Sequence, residues 1–147
     1  MQADIASQAP SDKALRIQYL PHLTQDDYDH LLWASDFNFV RGEDSLVRAI
    51  WASKPFVWQI YPQDDSAHHA KLEAFLDVYL ANTDATTAAH IRNAHNLWNG
   101  ISEITPASRM GLDLPAWRAA SQAQSGVWAG LPELVEQLIH FARLPAS

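Results

Sequence analysis

The 147 residues suit one domain, and a hydrophobic content of 48% is enough to build a core. With no cysteine the chain has neither a disulfide framework nor thiolate chemistry, which agrees with a reducing cytosol. A net charge of -7 argues against nucleic-acid backbones and anionic membranes as partners, so a phosphate ligand would need local donors to hold it against the global field.

Met1 to Ala14 is polar and small and is predicted to be a disordered lead. It lacks the basic patch and apolar stretch of a signal peptide, and no apolar run in the chain approaches the ~20 residues that span a membrane. Leu15 to Leu20 alternates apolar and polar residues and reads as a strand. Thr24 caps a helix running to about Ala34, with Tyr28, Leu31 and Leu32 on one face. Phe37 to Val40 is a short apolar run that reads as a buried strand, and Gly42 breaks it. Asp44 or Ser45 supplies the cap of the next helix, in which Leu46, Val47, Ile50 and Trp51 recur at helical spacing. Pro55 to Gln59 is a further strand, and Ser66 to Leu80 a helix with Leu72, Phe75, Leu76 and Tyr79 on one face. Thr83 or Asp84 caps another helix to about Trp98. Pro115 opens a helix through Gln124, and Pro132 opens a last one through Ala142. That last helix carries Leu131, Leu134, Val135, Leu138, Ile139 and Ala142 as an apolar stripe, read here as core.

Three strands joined by right-handed crossovers share one direction. Ligands of such sheets bind outside the carboxyl ends of the strands. The residues there are Pro21 to Gln25, Arg41 to Ser45, and Tyr61 to Asp64. A strand, a glycine turn and a helix that opens with free N–H groups form an anion site. Every α/β domain has several such turns, and taken alone this one is an ordinary connection with a capped helix.

The wording narrows the choice. Asn-Phe-Val-Arg-Gly-Glu-Asp-Ser (38–45), Val-Arg-Ala-Ile-Trp-Ala (47–52) and Pro-Phe-Val-Trp-Gln-Ile-Tyr-Pro-Gln-Asp (55–64) resemble the EarP family, the protein-arginine rhamnosyltransferases that mature elongation factor P. The resemblance is specific from about Tyr19 to Leu80 and looser towards the C-terminus. It implies an α/β fold: part of the Rossmann-like parallel sheet of the C-terminal, nucleotide-sugar-binding domain of a GT-B glycosyltransferase, with a helical C-terminal region. On that reading 15–147 belongs to this domain, and the family's N-terminal domain is missing. The implied reaction moves rhamnose from TDP-β-L-rhamnose to an arginine of elongation factor P with inversion, in the cytoplasm, without a metal or other cofactor. The family's catalytic aspartates lie in its N-terminal domain. No residue here is therefore assigned as catalytic base, and this chain alone is expected to be inactive, with the missing N-terminal half as a partner.

The resemblance also places the candidate donor-binding residues. Ser45 and the N–H groups around it suit the diphosphate, and Asp44 matches the phosphate-side turn. Arg41 either clamps a phosphate or pairs with Glu43 or Asp44. Glu43 would repel a diphosphate but can accept hydrogen bonds from sugar hydroxyls, and it matches a residue important for the family's activity. Tyr61 offers a flat face for thymine or a hydroxyl for the ligand. Gln25 matches a glutamine that lies near the base and could read a pyrimidine edge. His22 stands where the family has a phenylalanine that stacks on thymine; imidazole stacks with less area and charges near pH 6.5. Ile50 replaces a residue that is polar in the family.

Other features read as structural. His68 and His69 are adjacent and so point apart, and His90 and His95 are five apart; all are read as solvated or capping rather than metal ligands. The six tryptophans are scattered, as in core packing. A truncated, non-catalytic nucleotide-sugar-binding or interaction module is the alternative function. An unrelated α/β hydrolase or P-loop enzyme is disfavoured, because the sequence has no Gly-x-Ser-x-Gly elbow and no Gly-x-x-x-x-Gly-Lys loop.

Overall fold

The computed structural model describes residues 16–62, 67–103, 105 and 113–143. Along the chain lie α1 (Gln25–Ala34), β1 (Asn38–Arg41), α2 (Glu43–Trp51), β2 (Phe56–Gln59), α3 (Ala67–Tyr79), α4 (Ala85–Trp98), α5 (Leu114–Ala129) and α6 (Leu134–Ala142). β1 and β2 pair in parallel, Asn38 opposite Phe56 through Arg41 opposite Gln59, with α2 as the crossover.

Thr24 caps α1 through its side chain, as its sequence position predicts, and Asp84 does the same for α4. The strand expected at Leu15 to Leu20 is not formed: Arg16 to Leu20 has no regular structure and is exposed, while Leu15 lies outside the described residues. Alternation alone did not suffice there, because a strand also needs an edge to pair with. Ser66, Gln63, Asp64 and the polar lead Met1 to Ala14 also lie outside the described residues. α5 runs to Ala129 rather than Gln124, and α6 begins at Leu134 after Glu133 at its cap, so Pro132 precedes the helix instead of opening its first turn.

The core centres on β2. Phe56, Trp58, Leu72, Leu76, Ile91 and Trp117 are buried together. Trp58 meets Phe75 of α3 edge to face at 5.4 Å, and Phe56 meets Tyr79 at 5.3 Å. Tyr79 donates to Ser121 Oγ of α5 at 3.1 Å, and its burial pushes the phenol up to about 12. Polar side chains close the sheet ends. Asn38 donates to the Leu32 carbonyl at 3.1 Å, tying β1 to the end of α1. Asn99 accepts from the Ile60 N–H at 3.0 Å and donates to the Trp58 carbonyl at 2.9 Å, which fixes the carboxyl end of β2 against α4.

Several apolar residues expected inside are at the surface. Trp33, Trp51 and Trp98 are about half exposed, whereas Trp58 and Trp117 are buried, so only part of the tryptophan set packs the core. In α2, Leu46 and Ile50 face inward while Val47 and Trp51 are exposed; in α1, Leu32 is buried and Leu31 is not. All of α6 is exposed, with Leu134 at 69% and Phe141 at 74%, so its stripe is not part of this core. Conversely His95, expected to be solvated or capping, is fully buried, and the rings of His68 and His69 meet at 4.2 Å instead of pointing apart. No helix among the described residues is long and apolar enough to cross a membrane.

Candidate nucleotide-sugar site

The site is built where β1 ends. Arg41 is the last residue of the strand, and Gly42 turns the chain with φ 84 and ψ 164. That backbone region is open essentially to glycine alone. The turn lets α2 start directly at Glu43, so Gly42 is the N-cap, not Asp44 or Ser45 as the sequence predicts. Gly42 has no side chain with which to cap this helix, so its first-turn N–H groups, at the positive end of the helix dipole, gain no bond from the cap residue.

Trp58 secures the turn from below, its indole N–H donating to the Gly42 carbonyl at 3.1 Å. Tyr61 closes it from the side. A Cβ at Gly42 would lie 3.1 Å from Tyr61 Cε2. Gly42→Ala is therefore expected to cost about 1–3 kcal/mol through the backbone conformation alone. Chemical denaturation should show that loss plus the cost of the Cβ–ring contact, and only the latter should return when Tyr61→Ala removes the ring; a neutral Gly42→Ala would contradict the turn described.

Above the turn, α1 and α2 enclose a cleft of ≈ 470 Å³ lined by His22, Leu23, Thr24, Gln25, Tyr28, Asp44, Ser45 and Arg48. Four of the residues singled out from the sequence, His22, Gln25, Asp44 and Ser45, thus share one cavity. Of the other three, Arg41 and Tyr61 meet beside the turn, and Glu43 pairs with α3. The Arg41 guanidinium lies 4.8 Å from the centre of the Tyr61 ring, a cation–π contact. Glu43 accepts from Lys71 Nζ of α3 at 2.7 Å, and this bond holds its carboxyl below the usual range. Arg41 therefore pairs with neither Glu43 nor Asp44.

Leu23 and Thr24 line the cleft within the Pro21 to Gln25 segment that the strand-end rule singles out, though neither carried a role of its own, and Tyr28 and Arg48 line it with no functional reading from sequence. Tyr28 looked like a core-facing residue and Thr24 like a cap alone. The Asp44-to-Arg48 spacing of four was a visible signal for an ion pair along one helix face. Lys71 could not be found this way, since it reaches Glu43 only through tertiary packing. Among the described residues, no group of three or more His, Cys, Asp or Glu side chains could hold a metal.

The model of the family described as elongation-factor P (EF-P) rhamnosyltransferase EarP matches residues 1–143. The chain belongs to the EarP family. Among curated proteins it is 45% identical over 130 residues to the protein-arginine rhamnosyltransferase of Pseudomonas aeruginosa, an alignment covering 87% of this chain and 34% of that one. To the Pseudomonas putida protein of the same name it is 43% identical over 141 residues, covering 88% and 35%. A solved structure described as the basis for EarP-mediated arginine glycosylation of translation elongation factor EF-P superposes with a TM-score of 0.66 at 36% identity, over 86% of this chain and 40% of that one. The chain therefore spans about a third of the length of these curated EarP relatives. The α/β arrangement with its parallel β1–β2 pair is similar to that EarP structure.

Proposed function

We propose that the cleft over α2 binds the nucleotide diphosphate of TDP-β-L-rhamnose, as the donor site of an inverting GT-B protein-arginine rhamnosyltransferase that acts on EF-P in the cytoplasm. The observation that carries this reading is one cavity in which His22, Gln25, Asp44 and Ser45 converge on the N-terminus of a helix whose cap residue is a glycine, in a chain of the EarP family. The first-turn N–H groups and Ser45 suit the diphosphate, and they stabilise its charge as it leaves. His22, Gln25 and Tyr28 form the wall for the base, with aromatic faces for stacking and an amide for the pyrimidine edge. Glu43 is exposed at the mouth of the turn, where its carboxylate accepts from sugar hydroxyls while Lys71 holds it charged. The chemistry in this reading uses no metal: N–H donors and the helix dipole stabilise the charge of the diphosphate as it is displaced. The carboxylates that activate the acceptor guanidinium are not assigned to residues of this chain.

Calorimetric titration tests the reading. TDP is expected to bind and UDP to bind more weakly; no heat with TDP would overturn the donor site. Glu43→Ala should weaken TDP-rhamnose and leave TDP unchanged, because its partners are sugar hydroxyls. Tyr28→Ala, which removes an aromatic face of the base wall, should weaken both by about 1–3 kcal/mol, the size of an aromatic stacking platform. An equal loss of TDP affinity in both variants would contradict this division of roles.

A further inference from the structure

Arg48 stands between two cavities. It lines the ≈ 470 Å³ cleft and also a smaller space of ≈ 250 Å³ bounded by Asp29, Trp33, Asp44, Val47 and Trp51. Its Nη1 donates to Asp29 Oδ2 of α1 at 2.6 Å, and its Nε lies 3.5 Å from Asp44 Oδ2 in the first turn of α2. The Asp29 and Arg48 side chains are only 26% and 23% exposed, so the pair is shielded more than an ordinary surface ion pair. Nε is buried and makes no hydrogen bond among the described residues, although Asp44 is close by.

Helical spacing explains why this bridge bears on the cleft. Gln25, Tyr28 and Asp29 fall at i, i+3 and i+4 on α1 and share a face. Asp44 and Arg48 fall at i and i+4 on α2, with Ser45 beside the former. The bond from Arg48 to Asp29 thus runs across the cleft one turn below the residues that face a ligand. One wall offers groups for a base, the other N–H groups for phosphates. A nucleoside diphosphate must touch both at once, and its affinity depends on their spacing.

We propose that Arg48 is a positioning residue of the cleft: through Asp29 it sets the gap between the base wall on α1 and the phosphate turn on α2. The proposal rests on the donor-site reading above. Arg48 is not in this view a phosphate ligand, since Nη1 is already committed to Asp29 and two carboxylates balance its charge.

The test is a double-mutant cycle on the full chain with Arg48→Gln, Asp29→Asn, the pair together, and Arg48→Lys. Each protein is titrated with TDP, with thymidine and with inorganic pyrophosphate, followed by calorimetry and by NMR shifts. TDP spans both walls, and each single variant should weaken it by about tenfold, with no further loss in the pair, as coupled residues do. Thymidine and pyrophosphate each touch one wall and should change by less than about twofold. Arg48→Lys, which keeps the charge and can reach Asp29, should recover part of the TDP affinity.

If Arg48→Gln weakens pyrophosphate as much as TDP while Asp29→Asn does not, Arg48 contacts phosphate directly and the proposal is overturned. A parallel loss for all three ligands marks general loosening of the fold and overturns it too. If the native chain binds TDP and every variant binds it equally, the bridge sets nothing. A native chain that binds no TDP overturns the donor-site reading, and this proposal with it.

Discussion

Trp58→Ala is expected to lower the unfolding free energy by about 3–5 kcal/mol, the range for deleting a large aromatic from a packed core. Trp58 in β2 is only 2% exposed and packs edge to face on Phe75. Truncation would remove that contact and leave a cavity that α3 and α4 cannot close without pulling away from the sheet. It would also free the Gly42 carbonyl from the indole N–H, although the Leu46 N–H still reaches that oxygen at 3.2 Å. A small domain holds only about 5–15 kcal/mol in total, so the variant loses a large share of it. Trp58→Phe separates the two effects. It keeps most of the packing and drops the N–H, and should cost about 1–2 kcal/mol. Urea unfolding followed by circular dichroism measures both. A Trp58→Phe as damaging as Trp58→Ala would mean that the bond to the turn, not the packing, dominates. Because Trp58 lies beneath Gly42, the phenylalanine variant should also quicken amide exchange in the first turn of α2.

The parts of this molecule that were legible in its sequence are those fixed by local physics. β1, α2 and β2 lie within a residue or two of where apolar runs, Gly42 and helical spacing place them. The carboxyl-end rule for parallel strands places Asp44 and Ser45 just beyond β1, whereas His22 and Gln25 reach the same cleft from the start of α1, because the strand expected before them is not formed. The cap of α2 was misread because Asp and Ser are strong caps in general, whereas here the backbone of Gly42 turns early enough to need neither. What depends on packing between elements was not legible. Asp29 and Arg48 meet only because α1 lies against α2, and Lys71 meets Glu43 only because α3 follows β2 back across the turn. The apolar stripe of α6 gave the right element, but amphipathicity does not say which surface covers a helix. Likewise the period-2 pattern at Arg16 to Leu20 names a face and not a partner strand.

Mild acid is expected to destabilise the fold through His95. Its Nδ1–H donates to the Ile91 carbonyl at 2.9 Å, and its Nε2 is buried with no hydrogen-bond partner among the described residues. Phe56 and Trp117 lie around the ring, with centroids 6.0 and 6.2 Å away. A proton on Nε2 would thus be charged in an apolar site, and burial pushes the imidazole down from 6.5 to about 4. Arg92 reinforces this and Glu73 opposes it. The sign follows from proton uptake. Above about pH 6.5 the ring is neutral in both states and has no pH-dependent effect. As pH falls from there, the unfolded chain takes up a proton that the folded chain refuses, so stability is lost. The loss should reach about 2 kcal/mol by pH 5 and about 3 kcal/mol near pH 4, where the folded protein begins to accept the proton as well. Glu43 and Asp84 have lowered carboxyl values, so their contributions are lost only below their ordinary 4.5 and 3.8, outside the pH 7 to 5 window. His95→Leu, which fills the same apolar site without a titrating group, should stay within about 1 kcal/mol of the native chain at pH 7 and flatten its decline to pH 5. Urea midpoints at the two pH values decide the matter. If His95→Leu declines as steeply as the native chain, the folded protein already admits a proton at position 95, and the acid sensitivity belongs to another group.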